Sequence, residues 1–156
     1  MAVETAAGSK FYIGPQNSSA SAQGDYEGLT YVQVGEVESI GEFGDSFNEV
    51  NFISLSNRRV KKFKSSKNAG NIQIVIGHDS ADSGQDNLNT ALASDEDYAF
   101  KVELDDAGTG SPSSPTTFYF RGKVMAAPVT PGEADNIVRI AATIGINTDV
   151  LEVDAV

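Results

Sequence analysis

The stretch NIVRIAATIGI, residues 136–146, carries Val138, Ile140, Ala142, Ile144 and Ile146 at every second position. That period belongs to a strand with one face in a core and the other free, because successive strand side chains point to opposite sides. The pattern recurs along the chain. Ile72, Ile74 and Ile76 share a face of NIQIVIG; Tyr98, Phe100, Val102 and Leu104 share one in YAFKVEL; Phe118, Phe120 and Val124 share one in TTFYFRGKVM. Further strands are expected at about 10–14, 30–40, 48–56 and 59–64, and the class is mainly β.

One segment departs from this period. SGQDNLNTALAS, residues 83–94, sets Leu88 and Leu92 four apart with Ala91 beside them, which predicts a single short helix packed over a sheet. Ser83 followed by Asp86 resembles a capping box with the shorter acid in place of Glu. Residues 14–28 and 105–116 are rich in Gly, Ser, Pro and Asn and are expected to be loops. The strand pattern resumes on both sides of each, so the chain is expected to form one domain over residues 1–156. Flexible loops are expected near 14–28, 57–70 and 105–116. The acidic tail after Asp149 reads as an extra edge strand or a mobile arm. No internal repeat is found.

A chain of 156 residues is long enough to bury about 68–70% of its unfolded surface. An apolar fraction of 40% with eight Phe and five Tyr supports such a core. The absence of cysteine excludes disulfides, thiolate metal sites and a cysteine nucleophile. No run of about 18 apolar residues is present, and MAVETAAGSKFYIGP lacks the basic start and apolar run of a signal peptide. The expectation is a soluble protein of cytoplasmic origin.

A search for chemistry returns little. His78, beside Asp79, is the sole histidine and has no second His for a metal and no serine elbow to serve. It reads as an exposed turn residue. Asp95, Glu96 and Asp97, and the pair Asp105 and Asp106, lack the alternating ligand spacing of a calcium loop. Asn17, Ser18 and Ser19 form a glycosylation sequon by letters only. No phosphate-binding glycine loop of known spacing occurs.

Charge is the distinctive property. The formal net charge is -11, yet NRRVKKFKSSKNAG, residues 57–70, gathers Arg58, Arg59, Lys61, Lys62, Lys64 and Lys67, six of the 11 basic residues. The remainder holds five basic against 22 acidic residues, about -17. Single-strand binding calls for aromatics interleaved with the cations, and only Phe63 lies among them. Duplex contact, adhesion to an acidic surface on another copy, and a lysine-protected strand edge all remain open readings of the cluster.

Four landmarks in order carry a resemblance: YVQVGEVESIGEFGDSFNEVNFISL; the basic VKKFKSSKNAGNIQIVIG; DSADSGQDNLNTALASDEDYAFKVEL; and TTFYFRGKVMAAPVTPGEADNIVRIAATIGIN. The series resembles the major tail tube proteins of long-tailed, siphovirus-type bacteriophages over roughly residues 9–148. A V-G-E-V phrase leads through a G-E-F-G turn to another strand. A lysine-bearing segment with the turn Asn68, Ala69 and Gly70 follows, then the start of a single helix. A closing strand pair carries Phe120, Gly122 and Val124. The loop near 108–115 and the tail after Asp149 depart from the family pattern.

The resemblance implies a β-sandwich or β-barrel-like subunit with one helix, forming rings of six that stack into a hollow tube for genome exit. It implies no catalytic residue, cofactor or metal. The implied partners are other copies of the chain together with tape-measure, tail-tip and tail-terminator proteins. DNA would pass through the lumen without specific binding, no membrane would be involved, and the product would reside in the virion tail after synthesis in the host cytoplasm. On this reading Arg58, Arg59, Lys61, Lys62, Lys64 and Lys67 are candidates for contacts between subunits or rings, facing acids such as Glu36 to Glu42 or Asp95 to Asp97 on a neighbour. Glu36, Glu38, Asn71 and Gln73 are candidates for the lumen. Arg121 and Lys123 imply that their strand face is covered or exterior, or that the bore is not uniformly acidic. The alternatives are the tube protein of a contractile tail or secretion-system needle, which shares the fold, and a soluble β-sandwich ligand-binding module, which calls for aromatics exposed in a cleft.

Overall fold

A computed structural model describes residues 3–110 and 112–156, so position 111 of the expected 105–116 loop lies outside it. The alternating segments become the strands β1 (Lys10–Gln16), β2 (Val32–Val34), β3 (Val37–Ile40), β6 (Asn71–Gly77), β7 (Tyr98–Glu103), β8 (Thr117–Ala126) and β10 (Arg139–Ile146). They follow the all-antiparallel path β2-β1-β7-β8-β10-β6-β3, to which the short strands β9 (Val129–Thr130) and β11 (Leu151–Val153) add at β10 and β8. β11 resolves the C-terminal tail as an edge strand. The strands β4 (Ser46–Ile53) and β5 (Val60–Asn68) pair only with each other.

The core sits between the two halves of the long sheet. Phe11, Ile13, Phe100, Val102 and Phe120 come from one half and Ile72, Ile74, Ile76, Ile140, Ala142 and Ile144 from the other, all buried in a single cluster. Each such aliphatic side chain contributes about 1.5–3 kcal/mol when withdrawn from water. Phe100 stacks between Phe11 at 5.8 Å and Phe120 at 5.5 Å, which spans β1, β7 and β8 with one aromatic column. The sheet bends at β8 and β10. There the pairing shifts register between Thr143 and Ile144, and Gly122 lies against the Gly145 carbonyl with no room for a Cβ.

The helix α2 (Ser83–Ala93) closes the sandwich with Leu88 and Ala91, while Leu92 stays partly exposed. Its N-cap is Asp82 rather than Ser83, because the Asp82 carboxylate is the group that accepts the Gln85 N–H, at 3.0 Å. The same carboxylate accepts the Gly35 N–H at 3.0 Å. Gln85 is buried and fully satisfied: its amide donates to the carbonyls of Gly77 at 2.9 Å and Gly35 at 3.3 Å and accepts the Asp79 N–H at 3.0 Å. Two side chains thereby tie α2 to the end of β6 and to the turn between β2 and β3.

Three expectations are corrected. Residues 30–40 are two strands, divided at a turn where Glu36 takes a positive φ of 58°. The 14–28 loop is strand to Gln16 and holds a second helix, α1 (Gln23–Glu27), whose Tyr26 stacks on Tyr119 at 5.5 Å. α1 forms there because Asp25 accepts the N–H groups of Ser21 and Ala22 while Tyr26 has a second cluster to enter, with Ala20, Ala99 and Tyr119. Finally, the strand expected at 59–64 runs on to Asn68 as β5 and so takes up most of the segment 57–70 that was also expected to be a flexible loop.

Gly84 sits where α2 crosses β2, and a Cβ there would lie 2.6 Å from the Val34 Cα. Gly84→Ala is therefore expected to lower stability by about 1–3 kcal/mol or more in denaturant titration. The matched change Gly24→Ala in α1, where the space is open, should leave stability unchanged or slightly raised.

Candidate assembly surface

The β4–β5 hairpin is the part of the fold that a core does not explain. Every residue of both strands is exposed, including Phe52 at 57% and Phe63 at 53%. An isolated two-stranded hairpin is marginal in water, and exposed large apolar side chains in a group mark an interaction site.

The register resolves the hairpin into two faces. Val50 pairs with Phe63 and Phe52 with Lys61, so these four share one side, largely apolar. Glu49 pairs with Lys64 and Asn51 with Lys62, and the Lys62 ammonium reaches Glu49 at 3.9 Å, so the middle of the other side is polar. Lys64 on that side lies over the Phe47 ring at 4.7 Å. An extra β5 residue at Ser65 and Ser66 bulges the pairing, where the Asn48 amide donates to the Ser66 hydroxyl at 2.8 Å.

Two glycines join the hairpin to the body. Gly44 and Gly70 have φ of 140° and 74°, values that L residues rarely adopt. Beside them Lys67 bridges Asp45 at 3.4 Å and Asp149 at 2.6 Å, which raises its pKa above the ordinary lysine value, chiefly through the hydrogen bond to Asp149. The six basic residues singled out in the sequence thus lie together on one arm, but in three situations. Lys67 is engaged at the base, Lys62 and Lys64 have partners on the arm itself, and Arg58, Arg59 and Lys61 near the tip have no ion-pair partner among the described residues.

The other singled-out residues separate. Glu36 lies in the β2–β3 turn and Glu38 is the extra residue of a bulge in β3, because Val37 pairs with Ile76 and Ser39 with Val75. The bulge turns Glu38 onto Arg139, whose Nε and Nη2 donate at 2.5 and 3.3 Å. This fork holds the Glu38 carboxyl below the ordinary glutamate range and raises Arg139. Asn71 and Gln73 are exposed on β6 opposite Gly145 and Thr143, on the face of the sheet away from the core. Arg121 is largely covered and Lys123 partly exposed: Arg121 Nε donates to the Ala20 carbonyl at 2.8 Å, and both cations pair with Asp97, at 3.5 and 3.2 Å. Asp97 also accepts the Asn147 amide at 3.1 Å, so it is engaged within its own chain.

A second surface was not singled out in the sequence. An apolar groove of about 210 Å³ opens where the core meets β3, lined by Ser9, Val37, Ile40, Phe43, Val102 and Leu104. β3 has a partner only on its β6 side. The Ser9 hydroxyl is buried without a hydrogen-bond partner. The only sequence signal for this groove is the half-alternation of VESIGEF, which places Val37, Ile40 and Phe43 together only once the bulge at Glu38 is known.

In fold the chain is similar to proteins of tail tubes and contractile injection systems. It matches a chain of the anti-feeding prophage baseplate, solved with six-fold symmetry, at a TM-score of 0.67 and 10% identity over 99% of this chain and 98% of that one. The sheath/tube terminator of the PVC extracellular contractile injection system gives a TM-score of 0.69 and 9% identity over 98% of both chains. The SPP1 tail tube gives a TM-score of 0.62 and 10% identity over 92% of this chain and 75% of that one. No family model and no curated protein matches the sequence.

Two outcomes follow for the isolated subunit. Phe52→Ser and Phe63→Ser should each shift its unfolding free energy by only about 0.5 kcal/mol, against about 3–5 kcal/mol for Phe100→Ala in the core. Glu38 contributes stability in its ionised form, since its folded pKa is depressed. That contribution is complete above the ordinary glutamate range and is lost as pH falls through the lower folded value. The melting temperature of Glu38→Gln should therefore lie slightly below wild type at neutral pH, with the gap closing below roughly pH 4.

Proposed function

We propose that this chain is a structural subunit that assembles with copies of itself, as rings of six stacked into a hollow tail tube of a long-tailed bacteriophage, through which DNA passes. The observation that carries the reading is the β4–β5 hairpin. A protein whose fold leaves three Phe and several aliphatic side chains on an arm outside its core needs a partner surface to cover them, and self-assembly supplies one on every copy. The likeness in fold to tube and terminator chains supports the same reading. On this proposal the chain works as one tube domain in the virion tail, without catalytic residue, cofactor or membrane, and meets tape-measure, tail-tip and tail-terminator proteins at its ends.

The basic residues act in protein contact rather than on DNA. Arg58, Arg59, Lys61, Lys62, Lys64 and Lys67 belong to the arm that meets the next copy, where complementary charge sets register and speeds encounter. The free face of β6 and β10, with Asn71 and Gln73 beside Thr143, Ala141 and the neutralised pair of Glu38 with Arg139, is proposed to line the bore, with Glu36 at its rim. Every phosphate contact with a free cation would bind the polymer that must move. Among the described residues the cations near this face, Arg139 and Lys123, are each paired with a carboxylate.

A second reading, the tube protein of a contractile tail or injection system, is favoured by the likeness to the anti-feeding prophage and PVC chains. A sheath protein that binds the outside of purified tubes would select it.

Hollow tubes of uniform width should form as the purified protein is concentrated, seen by negative-stain electron microscopy with the mass followed by light scattering. Replacing Arg58, Arg59, Lys61 and Lys62 together with Glu should abolish stacking into tubes and leave the melting temperature of the subunit nearly unchanged. Intact tubes from that variant would refute the adhesive role of the cluster.

A further inference from the structure

The arm requires a receptor, and the fold offers a surface complementary to it. The hairpin presents Val50, Phe52 and Phe63 on one face, with Lys61 among them and Arg58 and Arg59 at the tip. The groove beside β3 presents an apolar floor of Val37, Ile40, Phe43, Val102 and Leu104. Glu42 and Asp105, which adjoin the lining residues Phe43 and Leu104 in the chain, are exposed. Two further properties mark the groove as incomplete in the lone subunit. The outer edge of β3 has backbone groups without a strand partner, and the buried Ser9 hydroxyl lacks any hydrogen-bond partner.

The chain's own arm does not fill the groove. β4 and β5 pair only with each other, and Lys67 holds the base of the arm toward Asp149 rather than toward β3. The other exposed apolar surface, around Met125, Val129 and Ile137, also has exposed acids nearby in the chain, Glu133 and Asp135, but neither of the unpartnered buried hydroxyls, Ser9 and Tyr26, belongs to it.

Resting on the tube reading above, we propose that the groove beside β3 is the receptor for the β4–β5 hairpin of a second copy of this chain. Phe52 and Phe63 cover the apolar floor, and the tip cations Arg58, Arg59 and Lys61 meet Glu42 and Asp105. A strand of the incoming arm takes the free edge of β3. The contact is heterologous, since arm and groove lie on different parts of the subunit, so each copy both gives and receives.

Because the chain has no cysteine, introduced thiols report on it without background. Phe63→Cys and Ile40→Cys subunits are mixed, assembled and treated with a short bismaleimide, and the joined peptides are read by mass spectrometry. A cross-linked peptide joining position 63 of one copy to position 40 of another is the expected product. Tubes that form without it, or with position 63 joined elsewhere, overturn the groove as receptor and leave the tube reading standing. A chain that stays monomeric at every concentration, with or without a tail-tip complex, overturns both.

Charge exchange gives an independent measurement. The variant with Arg58, Arg59, Lys61 and Lys62 replaced by Glu should form no tubes even at about tenfold the protein concentration that suffices for the wild type. Adding Glu42→Lys and Asp105→Lys to that chain should restore most of the loss. If the second pair of changes leaves assembly as poor as before while the melting temperature is preserved, these acids are not where the arm lands and the proposal fails.

Discussion

The position of β3 depends on the polar knot at the start of α2. Asp82 and Gln85 together satisfy the turn between β2 and β3, the last carbonyl of β6 and the first turn of the helix. A buried amide with all its partners in place fixes geometry, and the same amide with one partner missing costs about 1–3 kcal/mol. The knot therefore does more than close one end of the sandwich. It holds β3 in register at the sheet margin, and the groove beside that strand exists only because the strand is held there.

Body and arm follow opposite packing logic. In the body, isoleucines alternate with small or polar residues and the aromatic column of Phe11, Phe100 and Phe120 fills the space between the sheet halves. In the arm the same alternation is present, but the side that would have been a core faces solvent. On the proposed function, stability and assembly fall to separate residues, which is why changes at Phe52 and at Phe100 should have such different consequences.

The body was legible in the sequence because its strands obey a clean period of two. Ile140, Ala142, Ile144 and Ile146 are buried as the pattern of NIVRIAATIGI required. What escaped had physical reasons. α1 spans five residues and is held by one buried tyrosine, too little for any periodicity to register. β5 continues through Ser65, Ser66 and Lys67, residues poor in strand propensity that pair only because β4 lies opposite. The bulge at Glu38 breaks alternation at the position where it matters for the groove. The basic cluster was visible as composition, but its division into base, middle and tip depends on Asp45, Asp149 and Glu49, which only folding brings near. The apolar partners of the cluster, Val50 and Phe52, read simply as part of one more strand, because nothing in a single sequence tells an inner face from an exposed one.

The excess of lysine and arginine on the arm carries one more consequence, for the order of events. Two arms brought together would set like charges opposite each other at close range, so pairing by symmetry is suppressed while the chains are still free. Encounters that survive are those of unlike surfaces, an arm with some other part of the next molecule. On the proposed assembly, such encounters repeated would give a polymer with a direction: one end would display unused arms and the other the surfaces that receive them. A polymer of that kind carries no instruction for its own length, and its extent must be set by whatever first occupies one end and last occupies the other.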